Sequence, residues 1–542
     1  MAWLTTLSSG EQVDYRLSGK CGCDEAHTHG HTKEDDGAQL NYRLNGADRP
    51  IERVGAGWSE FDEEAGSSFS LDADLGSMRA IMAGRDPRTG EQLVTPKLAV
   101  DPRAKLRAVP LVDAIQQAAT QLGVSPAELL QRRGSEKLAK RFARLERGVL
   151  RDGEVHHAPI RDLEALAEAV NRGITEAVAQ GEVSLATAQK LRVSLESLWG
   201  TEELAVARKH ANDRIQVGNR GYDLVLNMPK SMSVLYGLAD EKMAAEIEEI
   251  YMDSVRETAA AVEQWAGYAL SGHHGDGHQA ARLESSGIIA SLTLHRSARP
   301  VGGRVGDPHL HAHLMVANLV RGEDGKWRTL ASGGRDLHRH VAAAGELAKA
   351  RMRARLTKEF GVRWERDPRT GEWEIAGIGP EIRRRYSRRS ATIVDAAGEG
   401  ATPAQRRTVG QKLAQAKQPV KASHARTEWR NEAVSAGIDP EQLIADVTGR
   451  GGVGADATGN SLPTPPSLDE LAAIVWDPET GVTANRKTVT RAQVLVAVAA
   501  AHPYGLTAAE LEVRTDEVLS VAQAVREMWV MARRPPTPQE AP

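Results

Sequence analysis

Between residues 213 and 330, apolar and polar positions alternate with a period near two. The stretches "GYDLVLNM" (221–228), "GIIASLTLHRSA" (287–298) and "HLHAHLMVANLV" (309–320) therefore predict β-strands. "EDGKWRTL" (323–330) predicts a hairpin return through Asp324-Gly325. A helix is expected between the first two strands, over about 238–268, and helices return beyond 341. Upstream, from about 108 to 212, the spacing lengthens to three and four in Ala/Leu/Glu-rich runs such as "RDLEALAEAVNRGITEAVAQG". Ser125 followed by Pro126 is a helix start within that run. This stretch carries no recognisable chemistry and reads as a helical insertion. "DPRTGE" occurs at 86–91 and 367–372, and "DPETG" at 477–481. Their flanks do not match, so they predict recurrent turns rather than a repeat. The expected organisation is a domain over 1–450 with the insertion inside it, a Gly/Pro-rich linker over 451–468, and a small helical module over 469–542.

Composition narrows the class. The chain has 542 residues, 41% of them hydrophobic, enough for a sizeable core and more than one domain. A net charge of −4 means that nucleic-acid contacts must come from local patches. One such patch is 349–389, with 13 Lys/Arg against 6 Asp/Glu; a solvated helix face would have the same composition. The two cysteines, Cys21 and Cys23, stand too close in sequence for a mutual disulfide, which predicts a reduced, cytoplasmic chain. The N-terminus lacks a signal-peptide pattern, and no apolar run approaches the roughly 20 residues of a membrane span, so a soluble protein without membrane insertion is expected.

The chemistry concentrates in one strand. Side chains alternate between faces, so His309, His311 and His313 share one face while Leu310, Ala312, Leu314 and Val316 share the other. The apolar face can bury while the imidazoles line a site. His295 closes the strand expected to pair alongside and is the candidate third ligand. Three neutral imidazoles leave coordination positions open to substrate oxygens, the arrangement of a catalytic metal site. By ligand type alone, Zn, Ni or Mn would suit. A second cluster, Cys21, Cys23, His27, His29 and His31, has zinc-compatible ligand types in a polar, Gly-rich segment that also reads as a plain loop.

Taken together, "GYDLVLNMPKSMS" and "DPHLHAHLMVAN" resemble the two motifs of MobF-class conjugative relaxases of the TrwC/TraI type, in order. The matching residues are Asp223, Pro229, Lys230, Ser231 and Ser233, then Asp307, Pro308, Leu310, His311, His313 and Asn318, with His295 upstream. The likeness covers roughly 1–107 and 213–450. It implies an α+β fold of the HUH relaxase type: an antiparallel-sheet palm with flanking helices, here with an α-helical insertion and a helical C-terminal region.

The resemblance also implies site- and strand-specific nicking and joining of DNA at an origin of transfer, through a 5′-phosphotyrosyl intermediate. It implies a divalent ion, Mg or Mn, held by His295, His311 and His313, with Asp223 orienting the site and helping to deprotonate the tyrosine. Lys230 and Ser231 would contact DNA. The nucleophile would be Tyr15, with Tyr42 resembling a second tyrosine position. Implied partners are single-stranded DNA, a transfer accessory complex and a coupling protein, with the chain itself a monomer. Three features depart from the family pattern: single rather than adjacent tyrosines, His309 where another residue is usual, and a longer interval between His295 and His311. A rolling-circle replication initiator and a non-catalytic, metal-stabilised DNA-binding protein are the alternatives. The chain contains no G-x-x-x-x-G-K-[ST] loop, and 485–521 resembles the segment that precedes a helicase, so it is expected to be the N-terminal part of a longer protein.

Overall fold

The computed structural model describes residues 2–18, 49–70, 72–132, 135–272, 279–413, 420–449 and 464–524. The chain divides into two compact units, 96–218 and the remainder.

The larger unit is built on a five-stranded sheet: β1 (Trp3–Leu7), β2 (Glu52–Val54), β3 (Gly221–Asn227), β4 (Ala290–Ser297) and β5 (Pro308–Ala317). The spatial order is β1-β3-β5-β4-β2 and every pairing is antiparallel. The ten-residue β5 is central. Its register sets His311 opposite Asn227 on one side and His295 on the other. The period-two pattern then sorts the side chains. Tyr222, Leu224, Leu226, Leu292, Leu294, Leu310, Ala312, Leu314 and Val316 form one fully buried face. Helices that share this core include α2 (Lys230–Leu238), α3 (Glu241–Ala266) and α4 (Arg335–Phe360).

α2 is a separate nine-residue helix in a stretch that the strand and helix expectations had skipped. Every residue in it except Lys230 is buried, so it shows no polar face and hence no helical period. On the opposite face of the sheet, Leu7, Met315 and Ala317 pack beneath Val13 and Leu17 of α1 (Gly10–Ser18) and the helix Asp72–Met82. That covering leaves the His309–His313 end of β5 facing a cleft.

The three Asp-Pro turns share one construction. Asp86, Asp367 and Asp477 each accept backbone N–H groups two and three residues on, from Arg88 and Thr89, Arg369 and Thr370, and Glu479 and Thr480.

The small helical module expected over 469–542 packs into the larger unit. Leu471, Val475, Leu495, Val498 and Leu511 bury in one cluster with Ala261 of α3 and Ala343, Leu347 and Ala350 of α4. The helices from Leu468 onward thus belong to the larger unit. Most of the expected linker lies outside the described residues.

The smaller unit is the insertion, with bounds wider than the helical pattern alone because short strands flank it. Lys97–Val100 pairs antiparallel with Arg214–Val217 and closes its base. Its helices enclose a core of their own around Leu111, Ile115, Leu129, Phe142, Leu163 and Val170. Ser125 and Glu128 form the reciprocal capping box that starts one of these helices.

Candidate active site

Three strands contribute to one face of the sheet. His311 and His313 come from β5, His295 from β4 and Asp223 from β3. The three imidazoles each offer a nitrogen, and these atoms lie within 4.8 Å of one another. Ring centroids are 4.7 Å apart for His295–His313, 5.0 Å for His295–His311 and 5.4 Å for His311–His313. A β-bulge between His295 and Ser297 ends the regular ladder beside the site.

Hydrogen bonding sets the tautomers of two rings. His311 Nδ1 lies 2.9 Å from the His309 carbonyl, which can only accept, so the neutral ring carries its proton there. His313 Nδ1 lies 2.8 Å from Asp223 Oδ1 and carries its proton for the same reason. In this tautomer the lone pair of each ring sits on Nε2, the atom a metal ion would take. Metal-ligating histidines are held in this way by an outer carboxylate or carbonyl. The donor set fits a divalent ion.

His309 stacks on His311 with centroids 4.5 Å apart. Burial and the nearby Lys230 push its imidazole down to about 3, so it is a neutral supporting ring.

Asp223 is fully buried and bridges two elements. Its Oδ1 holds His313, and its Oδ2 accepts from Arg16 Nε at 3.0 Å. Arg16 lies in α1 immediately after Tyr15. The histidine cluster is thereby tied to the helix that carries the candidate nucleophile. Arg16 was missed in the sequence, where nothing links it to a strand on the far side of the insertion. Tyr42, Cys21, Cys23, His27, His29 and His31 lie outside the described residues.

The remaining motif residues divide by role. Lys230 lines the cleft and donates from Nζ to the Pro308 carbonyl at 2.7 Å. Burial pushes its amine down to about 8, against the opposing pull of Asp307 and Glu374. Ser231 is fully buried and its hydroxyl accepts from Ile375 N–H, so the DNA contact expected of it is withdrawn. Ser233 accepts from Leu310 N–H and secures α2 to β5. Asn318 bridges the Asn219 carbonyl and Leu330 N–H. Asp307 accepts from the backbone and side chain of Arg388. Ser231, Ser233 and Asn318 shape the site without lining the cleft, whereas Lys230 and Asp307 line it.

The cleft over the histidines has a volume of about 800 Å³. Its lining includes Arg16, Lys230, Arg296, Arg299, Arg389, Arg406 and Arg407 against one carboxylate, Asp307, which Arg388 already pairs. Only Arg389 of these belongs to the basic stretch expected at 349–389. Many cations of that stretch are used internally: Lys349 pairs with Glu346 and Glu372, Arg351 with Glu257, and Arg383 with Asp367 and Glu374.

A family model described as TrwC relaxase matches residues 24–436, three quarters of the chain. The chain belongs to the TrwC relaxase family. The histidine strand, the Pro-Lys-Ser helix and Asp223 all fall within the matched span. Among curated relatives, the chain is similar to the multifunctional conjugation protein TraI of Escherichia coli (strain K12), with 26% identity over 226 residues. That match covers 40% of this chain and 12% of TraI, so the chain corresponds to a small fraction of that protein's length. Two solved structures of conjugative relaxase TrwC with oriT DNA, one metal-bound and one copper-bound, are 16% and 17% identical. Both alignments cover 81% of this chain and all of the other, with TM-scores of 0.43 and 0.44. A structure of TrwC with a 27-mer DNA comprising the recognition hairpin and cleavage site is 24% identical, covering 42% of this chain and 77% of that one, with a TM-score of 0.35. Among the described residues no helix is long and apolar enough to cross a membrane.

Proposed function

We propose that this chain nicks and rejoins one DNA strand at an origin of transfer during conjugation, by transesterification onto a tyrosine. The observation that carries the reading is the continuous link from the three-histidine cluster through Asp223 to Arg16, next to Tyr15. In the proposed step the Tyr15 phenolic oxygen bonds to the scissile phosphorus and the bond from phosphorus to the 3′ oxygen breaks. The phenolic proton ends on the departing 3′ oxygen. The product is a 5′-phosphotyrosyl link and a free 3′-hydroxyl, with no net loss of phosphoester bonds. A phenol, with a pKa of about 10, leaves more readily than an alkoxide in the reverse step, so rejoining is accessible.

His295, His311 and His313 would hold the divalent ion, which supplies charge stabilisation at the phosphate oxygens. Mg or Mn is the proposed ion, and the all-nitrogen ligation also admits Zn or Ni. Asp223 keeps His313 in its ligating tautomer and anchors α1. Lys230 and the cleft arginines hold the strand's phosphates. Tyr42 is proposed for the second transfer. A transfer accessory complex and a coupling protein are the proposed partners, with the chain acting as a monomer in the cytoplasm.

The test is trapping on a suicide oligonucleotide that carries the origin sequence, followed by mass-spectrometric mapping of the adduct. An adduct on Tyr15, lost in the His311→Ala/His313→Ala double variant, is expected. Unchanged strand scission in that variant overturns the reading, and an adduct confined to Tyr42 overturns the choice of nucleophile.

A further inference from the structure

We propose that Trp3 is a stacking platform for an unpaired nucleobase of the nucleotide flanking the scissile phosphate. The proposal rests on the function proposed above and adds a substrate contact to it. Trp3 lies on the edge strand β1, opposite Val225 of β3, which is in turn opposite His313 of β5. Residues level across adjacent strands share a face, so the indole and the His313 imidazole stand on the same side of the sheet, two strand spacings or roughly 10 Å apart. Both line the same cleft.

The indole is also unusual in its exposure. Aromatic residues make up 4% of the chain, and nearly all of those described are buried or half-buried. Trp58, Trp199, Trp364 and Trp429 are buried in cores, each with its indole N–H donating to a named acceptor. Trp3, at 41% exposed, is the exposed aromatic among the described side chains. Burying it in the core was available to the sequence: neighbouring Ala2 and Leu4 pack against the main cluster on the other face. The strand instead turns its largest apolar group toward the cationic cleft.

The surroundings determine the occupant. A protein-docking patch is depleted of charge at its centre, whereas here the indole shares its cleft with Arg16, Arg299, Arg389, Arg406 and Arg407. Cations that track a phosphate backbone, combined with a flat aromatic surface, suit single-stranded nucleic acid. Every base has a π face, so the contact fixes the strand's position without demanding a sequence.

The experiment uses the whole chain and a mixed-sequence 20-nucleotide single strand with 2-aminopurine placed at each position in turn. Variants Trp3→Phe and Trp3→Leu both keep an apolar side chain in the edge strand, but only the first keeps a ring. Trp3→Leu should weaken binding roughly 5- to 150-fold, the range for loss of one base–aromatic stack, while Trp3→Phe stays within about threefold of the parent. On the origin oligonucleotide, stacking should quench 2-aminopurine at one or two positions beside the nick, and Trp3→Leu should abolish that quenching. Equal affinity of Trp3→Leu and the parent, or equal losses in both variants, overturns the inference. If the parent chain forms no covalent adduct but the binding contrast holds, the proposed function fails while the stacking contact stands.

Discussion

At Asp223 a single buried carboxylate serves two partners, and its chemistry is sharply testable. Asp223→Asn keeps the volume but removes the charge that holds His313 Nδ1–H and Arg16 together. The amide can present its NH₂ to the ring, which favours the opposite tautomer and takes the Nε2 lone pair out of use. Outer-shell changes of this kind cost about 10- to 100-fold in metal affinity. Calorimetric titration with Mn²⁺ should show that loss, and an unchanged affinity would show that Asp223 does not set the ring. This residue scale was partly legible beforehand. His309, His311 and His313 announced a shared face because a strand's period is two, and Asp223 lay in a recognisable motif. Arg16 and Trp3 carried no local signal, since what gives each its meaning is a cross-strand neighbour from a distant part of the chain.

Among elements, the most telling is α2. The strands flanking it were readable from alternation, but a helix buried on all sides has no polar stripe to mark its period. It is positioned by polar bonds to backbone instead. Ser231 Oγ accepts from Ile375 N–H and Ser233 Oγ from Leu310 N–H, while Glu374 accepts from Ser231 N–H. Ser233→Ala should leave Leu310 N–H unpaired in the core, next to the histidines. The cost of such an orphaned donor is about 1–3 kcal/mol, read as a lower urea midpoint at unchanged slope. A midpoint equal to the parent's would mean that the bond contributes no net stability. The same reasoning applies to the basic stretch: counting charges along 349–389 cannot reveal that Lys349 and Arg383 are sunk in ion pairs with acids of their own region, whereas Arg406 and Arg407, outside that window, are exposed in the cleft.

For the whole molecule, the change of period from two to about 3.6 marked the insertion, and the Gly/Pro-rich run at 451–468, most of which lies outside the described residues, marked a change of composition. Leu471, Val475 and Leu495 join one core with Leu347 and Ala350 of α4, so the C-terminal helices are part of the unit that bears the site. The insertion is different. Among the described residues its hydrophobic cluster draws on positions 106–211, and every residue assigned to the site lies in the other unit. Its ends are already neighbours, because Lys97 is paired with Val217 across an antiparallel ladder in which opposite Cα atoms are about 5 Å apart. Residues 98–216 can therefore be replaced by a two- or three-residue Gly/Ser link from Lys97 to Val217, and residues 96–218 produced as a separate segment. The shortened chain should keep its Mn²⁺ affinity and its melting temperature to within about 2 °C, since in a chain this large roughly 1 kcal/mol shifts the midpoint by no more than about 2 °C. The excised 96–218 segment should melt cooperatively on its own, since it carries its own core and a closed base. If the shortened chain loses the metal, the insertion supports the site in a way its separate core does not suggest. If the excised segment has no cooperative transition, it is not an independent folding unit.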